Sequence, residues 1–197
     1  MQVTTIWIDC DDVLSETIDQ VLKNPLLQKK WITRENVLSY ELWENDQFWL
    51  TLQEAIELFY DVFTSSKFFD IQPVAGAKEK LQQRKAEGKK LIVVTARATQ
   101  IKERTIEWIN QHFPDLFDDY VFANIHMENE VPKSELCKQA GIQIMIEDNL
   151  DFSRELSQNG IPCFLLDKPR NSEYTPEQYP GITKVSSWDD IDLSPIP

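Results

Sequence analysis

The stretch Thr4-Thr5-Ile6-Trp7-Ile8, followed directly by Asp9-Cys10-Asp11-Asp12-Val13-Leu14, decides how the chain reads. Its first five residues are β-branched or aromatic, the composition of a buried strand. Three carboxylates then crowd the end of that strand. Charges placed this way repel one another and are costly to desolvate, so the cluster calls for a cation, a proton or a substrate to offset it. Mg²⁺ is the usual cation for an all-oxygen site. If the extended conformation persists, Asp9 and Asp11 emerge on one face, where one could attack while the other handles protons. The same acids also read as a solvated turn or a helix N-cap, and the rest of the chain has to separate these readings.

With 197 residues the chain is long enough for one domain carrying a modest insertion. A net charge of -13 argues against duplex nucleic acid as a partner, because that affinity rests on Lys and Arg neutralising phosphates. A small phosphorylated substrate stays compatible, since local donors can set the field inside one pocket. Cys10, Cys137 and Cys163 are odd in number and scattered, unlike a disulfide scaffold. Together with no apolar run long enough to span a membrane and no signal-peptide pattern, this leads us to expect a cytoplasmic protein. His112 and His126 have no cysteine at metal-site spacing, so a structural zinc site is not expected.

Beyond the opening stretch, Ile18, Val21 and Leu22 share one face of a short helix that Asn24-Pro25 breaks. An aromatic-rich segment follows to about Asp70, with a capping box at Thr51-Leu52-Gln53-Glu54 that opens a longer helix. Residues 74–86 read as an amphipathic helix closed by Gly88. Leu91-Ile92-Val93-Val94 is a continuous apolar run, as expected of a parallel strand buried on both faces. It ends at Thr95-Ala96-Arg97, after which Thr99 is positioned to cap a helix. Val121-Phe122 suggests a weak strand, and Pro132-Lys133-Ser134 opens a short helix. Ile144-Met145-Ile146 is a buried strand that runs into Glu147-Asp148-Asn149, a helix follows from Asp151 to Gln158, and Cys163 to Leu166 forms a further strand. Beyond Lys168 only Lys184-Val185 and Trp188 stand out as packing points. Alternation of this kind implies right-handed βαβ units around a parallel sheet.

Ligands of open α/β sheets bind beyond the carboxyl ends of the strands. Asp9, Asp11, Thr95, Glu147 and Asp148 are all expected there, and Lys133, at a helix start, can bring positive charge to the same edge. In its four motifs, Asp9-Cys10-Asp11, Thr95, Lys133 and Glu147-Asp148, in that order, the chain resembles the haloacid dehalogenase superfamily of phosphotransferases. The resemblance implies a three-layer, Rossmann-like α/β core over residues 1–15 and 72–197, with a small helical cap over 16–71 inserted after the first strand. It implies that Asp9 is a nucleophile forming an aspartyl-phosphate and that Asp11 is the acid and base. Thr95, Ala96 and Lys133 would bind phosphoryl oxygens. Mg²⁺ would be held by Asp9, the Asp11 carbonyl and Asp148, with Glu147 orienting metal-bound water or binding the ion directly. Lys138 is the fallback for Lys133, and Asp151 reads better as a helix N-terminal carboxylate than as a ligand.

Within that superfamily, the Asp-Asp-Val-Leu opening, the short cap and the acidic pair followed by Asn most resemble the 5'(3')-deoxyribonucleotidases. The implied substrate is a (deoxy)nucleoside monophosphate whose base stacks on cap aromatics, for which Trp43, Phe48 and Trp49 are candidates. Arg97 departs from the Thr-Ser-Pro usual in those enzymes, and either grips a second anionic group or pairs with a surface carboxylate. The competing readings are a phosphatase for a sugar phosphate or a nucleic-acid 3'-phosphate, and a noncatalytic binding module. The last would be signalled by loss of Asp9 or Asp11, and both are present.

Overall fold

The computed structural model describes residues 4–123 and 142–193. Among them six parallel strands form one sheet in the order β3-β2-β1-β4-β5-β6. These are β1 (Thr5–Asp9), β2 (Lys90–Thr95), β3 (Asp119–Phe122), β4 (Ile144–Glu147), β5 (Cys163–Leu166) and β6 (Ile182–Val185). β1 lies at the centre, paired with β2 on one side and β4 on the other. The chain therefore reverses its direction of winding at β1, the kind of switch point that opens a crevice at the carboxyl ends of the strands.

The period-two alternation of a strand sends successive side chains to opposite faces, and both faces are covered. Ile6 and Ile8 join Leu91, Val93, Ile144 and Ile146 in one core, with Leu81 and Trp108 packed on them. Trp7, Ile92, Val94, Met145 and Leu165 form the other, beneath Leu150 and Leu156. The helices that supply these contacts are α4 (Ala77–Ala86) and α5 (Lys102–His112) on the first face and α6 (Leu150–Gln158) on the second.

Between β1 and β2 lie α1 (Thr17–Leu22), α2 (Pro25–Lys29) and α3 (Leu52–Thr64), joined by short 3-10 turns. The capping box opens α3 as its residues dictate: Glu54 N donates to Thr51 Oγ1 at 3.2 Å and Thr51 N donates to Glu54 Oε2 at 2.8 Å. The chain leaves and rejoins the sheet at two adjacent segments. Val74 N donates to Leu14 O and Glu16 N donates to Gln72 O, both at 2.8 Å.

Three expectations change. The helix expected from Val74 starts only at Ala77, because Val74 is bonded across to Leu14 and Gly76 takes a left-handed φ of 80°. A Cβ at Gly76 would also lie 3.2 Å from that of Trp188, so glycine lets this loop approach the tail closely. Thr99 is the first residue of a 3-10 turn ahead of α5 rather than its cap. The tail does more than was expected of it: β6 extends the sheet, and Ile191 and Leu193 are buried. No helix among the described residues is long and apolar enough to cross a membrane.

Trp188 is fully buried and donates from Nε1 to Val13 O at 2.8 Å, so the tail also supports the turn that follows β1. Trp188→Ala is expected to destabilise the protein by about 3–5 kcal/mol. Trp31, 89% exposed, should tolerate Trp31→Ala within about 0.5 kcal/mol. Urea denaturation of the two variants checks both values.

Candidate active site

The centre of the site follows from strand register. Ile8 pairs with Ile146, so the next residues of the two strands, Asp9 and Glu147, finish side by side at the carboxyl edge. Asp148 follows Glu147, and all three acids are buried. Each offers a carboxylate oxygen, and these oxygens lie within 4.8 Å of one another, a group that could hold a metal ion. On the other side of β1, Asp9 pairs with Val94, which brings Thr95 to the same edge. Thr95 is fully buried, and its Oγ1 accepts from Arg97 N at 3.1 Å. Ala96 is half-buried next to it.

Past Asp9 the chain turns. Leu14 N and Ser15 N both donate to Cys10 O at 2.9 Å, and Asp12 N donates to Ser15 O at 2.7 Å. Asp12 adopts a φ of 60°, a left-handed conformation that Asp tolerates better than most non-glycine residues. The extended conformation that would have put Asp9 and Asp11 on one face therefore stops at Asp9.

Asp11 is held by Arg97 instead. Arg97 Nη2 donates to Asp11 Oδ1 at 2.7 Å, and Nε reaches Oδ1 at 3.2 Å and Oδ2 at 3.1 Å. Thr17 Oγ1 also donates to Oδ1. The Arg97 side chain is 1% exposed and its guanidinium lies over the rings of Phe63 and Phe68. Burial opposes its charge, yet Asp11 together with the other acidic groups beside it outweighs this and raises its pKa. Of the two readings made for Arg97 from the sequence, the structure shows a carboxylate pairing: the arginine is enclosed, and its partner Asp11 is partly exposed.

Asp12, left without chemistry by the sequence, is the hub of a second network. It is fully buried and accepts from Arg34 Nη2 at 2.7 Å, from Ile18 N at 3.2 Å and from Arg170 Nη2. Arg170 also bonds Asp148 Oδ2, through Nε at 2.9 Å and through Nη2. Its guanidinium lies 4.9 Å from the centroid of the Tyr40 ring. The Tyr40 hydroxyl donates to Asp148 O and accepts from Leu150 N at 3.0 Å. Asn171 Nδ2 bonds Asp148 O and Leu166 O, each at 2.8 Å. Burial pushes the Asp148 carboxyl up, with Arg170 pulling against it, and burial likewise raises the Tyr40 phenol.

Sequence reasoning missed Arg34, Tyr40, Arg170 and Asn171. Pro169-Arg170-Asn171 begins just past the carboxyl end of β5, where ligands of such sheets gather, and that position was the available signal. Of the three candidate aromatics, Phe48 needs correction. Phe48 is fully buried among apolar neighbours and has no face to offer a base. Trp43 is half-buried against the same core, and Trp49 is 85% exposed with a φ of 47°. Tyr40 instead bonds the backbone of the acidic segment, at the Asp148 carbonyl. Asp151 lies in the first turn of α6 and pairs with Arg154 at 2.7 Å. Lys133 and its fallback Lys138 lie outside the described residues, as does the short helix expected at Pro132.

A family model described as "5' nucleotidase, deoxy (Pyrimidine), cytosolic type C protein" matches residues 2–194. The "Putative nucleotidase BH1399" of Halalkalibacterium halodurans is 24% identical over 166 residues, which span 81% of this chain and 76% of that protein. Among solved structures, a predicted phosphatase from Clostridium acetobutylicum superposes with a TM-score of 0.68 at 18% identity, over 96% of each chain. A haloacid dehalogenase-like family hydrolase from Streptococcus pneumoniae superposes with a TM-score of 0.61 at 12% identity, over 84% of this chain and 85% of that one. The fold is that of the haloacid dehalogenase-like phosphatases.

Cys10 lies between two of these acids, yet it is no nucleophile. Its thiol is fully buried beside Ser15 Oγ at 3.8 Å, and burial pushes it up to about 12. In the native protein at pH 8, Cys10 should resist iodoacetamide, and it should become labelled only when the chain unfolds. Peptide mass spectrometry with and without urea reads this directly.

Proposed function

We propose, on the premise that this chain belongs to the 5' nucleotidase, deoxy (pyrimidine), cytosolic type C family and is a phosphoric monoester hydrolase, that it removes phosphate from (deoxy)nucleoside monophosphates through an aspartyl-phosphate on Asp9. The observation that carries this reading is the buried convergence of Asp9, Glu147 and Asp148 at the carboxyl edge of the sheet, beside Thr95. Three buried carboxylates this close repel one another, and that cost is tolerated where charge is to be bound or moved.

In the first half-reaction an Asp9 carboxylate oxygen bonds to phosphorus as the bond to the ester oxygen breaks. The leaving oxygen takes that electron pair and a proton from Asp11, and departs as an alcohol. In the second, water attacks the aspartyl-phosphate, Asp11 receives a proton from it, and inorganic phosphate leaves with Asp9 restored. Thr95, Ala96 and Lys133 are the groups we assign to the phosphoryl oxygens.

The donor set suits a hard divalent cation: all carboxylate oxygens, buried and clustered. Asp9, Asp148 and the Asp11 carbonyl would hold Mg²⁺, and Glu147 is close enough to join them. What the ion supplies when bound is neutralisation of charge on the transferring group. Substrate choice falls to the helical segment over residues 16–71, which we take as a cap on the core formed by 1–15 and 72–197. Trp43 and Trp49 keep accessible surface there, and Tyr40 bonds the Asp148 carbonyl.

A phosphate-release screen with Mg²⁺ over nucleoside monophosphates, sugar phosphates and an aryl phosphate is expected to favour the nucleotides. Preference for sugar phosphates would redirect the substrate, and release from none would defeat the enzymatic reading. Asp9→Asn should lower turnover on the order of 10³-fold or more while leaving the circular dichroism spectrum unchanged. Mg²⁺ at 100-fold over its Kd should stabilise the protein by roughly 2.7 kcal/mol, a rise of about 5–11 °C in Tm for a chain of this size. A flat melting temperature under saturating Mg²⁺ would count against the metal assignment.

A further inference from the structure

We propose that Arg97 is the positioning residue for Asp11, holding its carboxylate in the orientation from which it exchanges protons with the substrate oxygen and coupling that orientation to the helical cap. The inference rests on the acid and base role given to Asp11 under the proposed function, and goes beyond it by naming what holds that residue.

The geometry is that of a dedicated mount. Arg97 meets Asp11 through Nε and Nη2, the edge of the guanidinium that matches a carboxylate in two-point contact. The Thr17 hydroxyl fixes Oδ1 a second time. The arginine is fixed in turn from three directions: Thr105 Oγ1 of α5 takes Nη1 at 3.3 Å, and Ser15 Oγ and Thr17 Oγ1 take Nη2, both at 3.2 Å. Phe63, from α3, and Phe68, from the turn after it, lie under the guanidinium at 5.0 and 5.3 Å. Those two rings and Thr17 all belong to the segment between β1 and β2, whereas Thr105 belongs to the core.

The exposures point the same way. The Arg97 side chain is 1% exposed and that of Asp11 is 31%, so the arginine faces the protein while the acid keeps a surface open to the crevice. A buried guanidinium could be replaced by apolar side chains if only packing were at stake. Among the described residues its guanidinium bonds go to the acid and to the hydroxyls of Ser15, Thr17 and Thr105. A shift of the cap would move Phe63, Phe68 and Thr17 together, and the acid with them.

The test separates proton donation from general damage. Loss of a well-aimed proton donor slows esters with poor alkoxide leaving groups and spares aryl phosphates, whose leaving group departs without a proton. We would compare kcat/KM for a nucleoside 5'-monophosphate and for p-nitrophenyl phosphate in the wild type, Arg97→Lys and Thr105→Val. Lysine keeps the charge and loses the two-point contact. Arg97→Lys is expected to lower the nucleotide value roughly 10–100-fold and the aryl value less than about 3-fold. In an Asp11→Asn background it should cause no further loss on the nucleotide. Equal falls on both substrates, or an unchanged or higher nucleotide value, would overturn the proposal. Should Arg97→Lys fail to fold by thermal melting, Thr105→Val decides, with a smaller shift of the same selectivity supporting the inference and no shift rejecting it. A wild-type protein inactive on both substrates would instead defeat the phosphatase reading, a distinct result.

Discussion

Five acids at one edge of a sheet have to be neutralised, and the rest of the molecule is arranged around that constraint. Asp9, Asp11, Asp12, Glu147 and Asp148 gather past β1 and β4, four of them buried. Isolated carboxylates would be prohibitively costly there. Two buried arginines divide the work: Arg97 takes Asp11, and Arg170 bridges Asp12 and Asp148. In a chain with a net charge of -13 the overall field is negative, so these acids depend on cations placed directly against them.

Those arginines also tie separate parts of the chain together. Arg170 comes from just after β5, stacks on Tyr40 and shares Asp12 with Arg34. Tyr40 and Arg34 belong to the helical segment between β1 and β2, so that segment is anchored to the acids it covers. Its apolar residues, with Phe48, Leu58 and Val62 buried, belong to the same cluster as Ile6, Ile8 and Leu91 on one face of the sheet. Packing thus joins the segment to the sheet, and the polar contacts tie it to the acids at the sheet's edge.

How much of this was legible follows from the distance over which each feature is encoded. β1, β2, β4 and β5 could be read because their apolar runs are continuous, and their acids because carboxylates at strand ends are conspicuous in composition alone. The capping box of α3 spans four residues and was read correctly. The partners of those acids were not legible: Arg170 lies 158 residues from Asp12, and Tyr40 lies 108 from Asp148. A lone arginine after a strand gives no local sign that aromatic rings will enclose it, and so Arg97 was read as a surface or substrate group. Phe48 failed for the opposite reason, since an irregular stretch hides a core position that periodicity would have revealed.

Asp12 shows why a short motif understates a site. Its backbone makes the turn, and its φ of 60° is a conformation in which glycine would be less strained. Among the described residues, however, its carboxylate is the one acid that both Arg34 and Arg170 reach. Glycine there would relax the backbone and remove a counter-charge shared by two arginines, leaving Arg34 with Asp19 and the 6% exposed Arg170 with Asp148. The strained residue persists because its side chain does at a distance what its backbone does locally: the turn sends the chain into the helical segment between β1 and β2, and the carboxylate, through Arg34, ties that segment back to the acids.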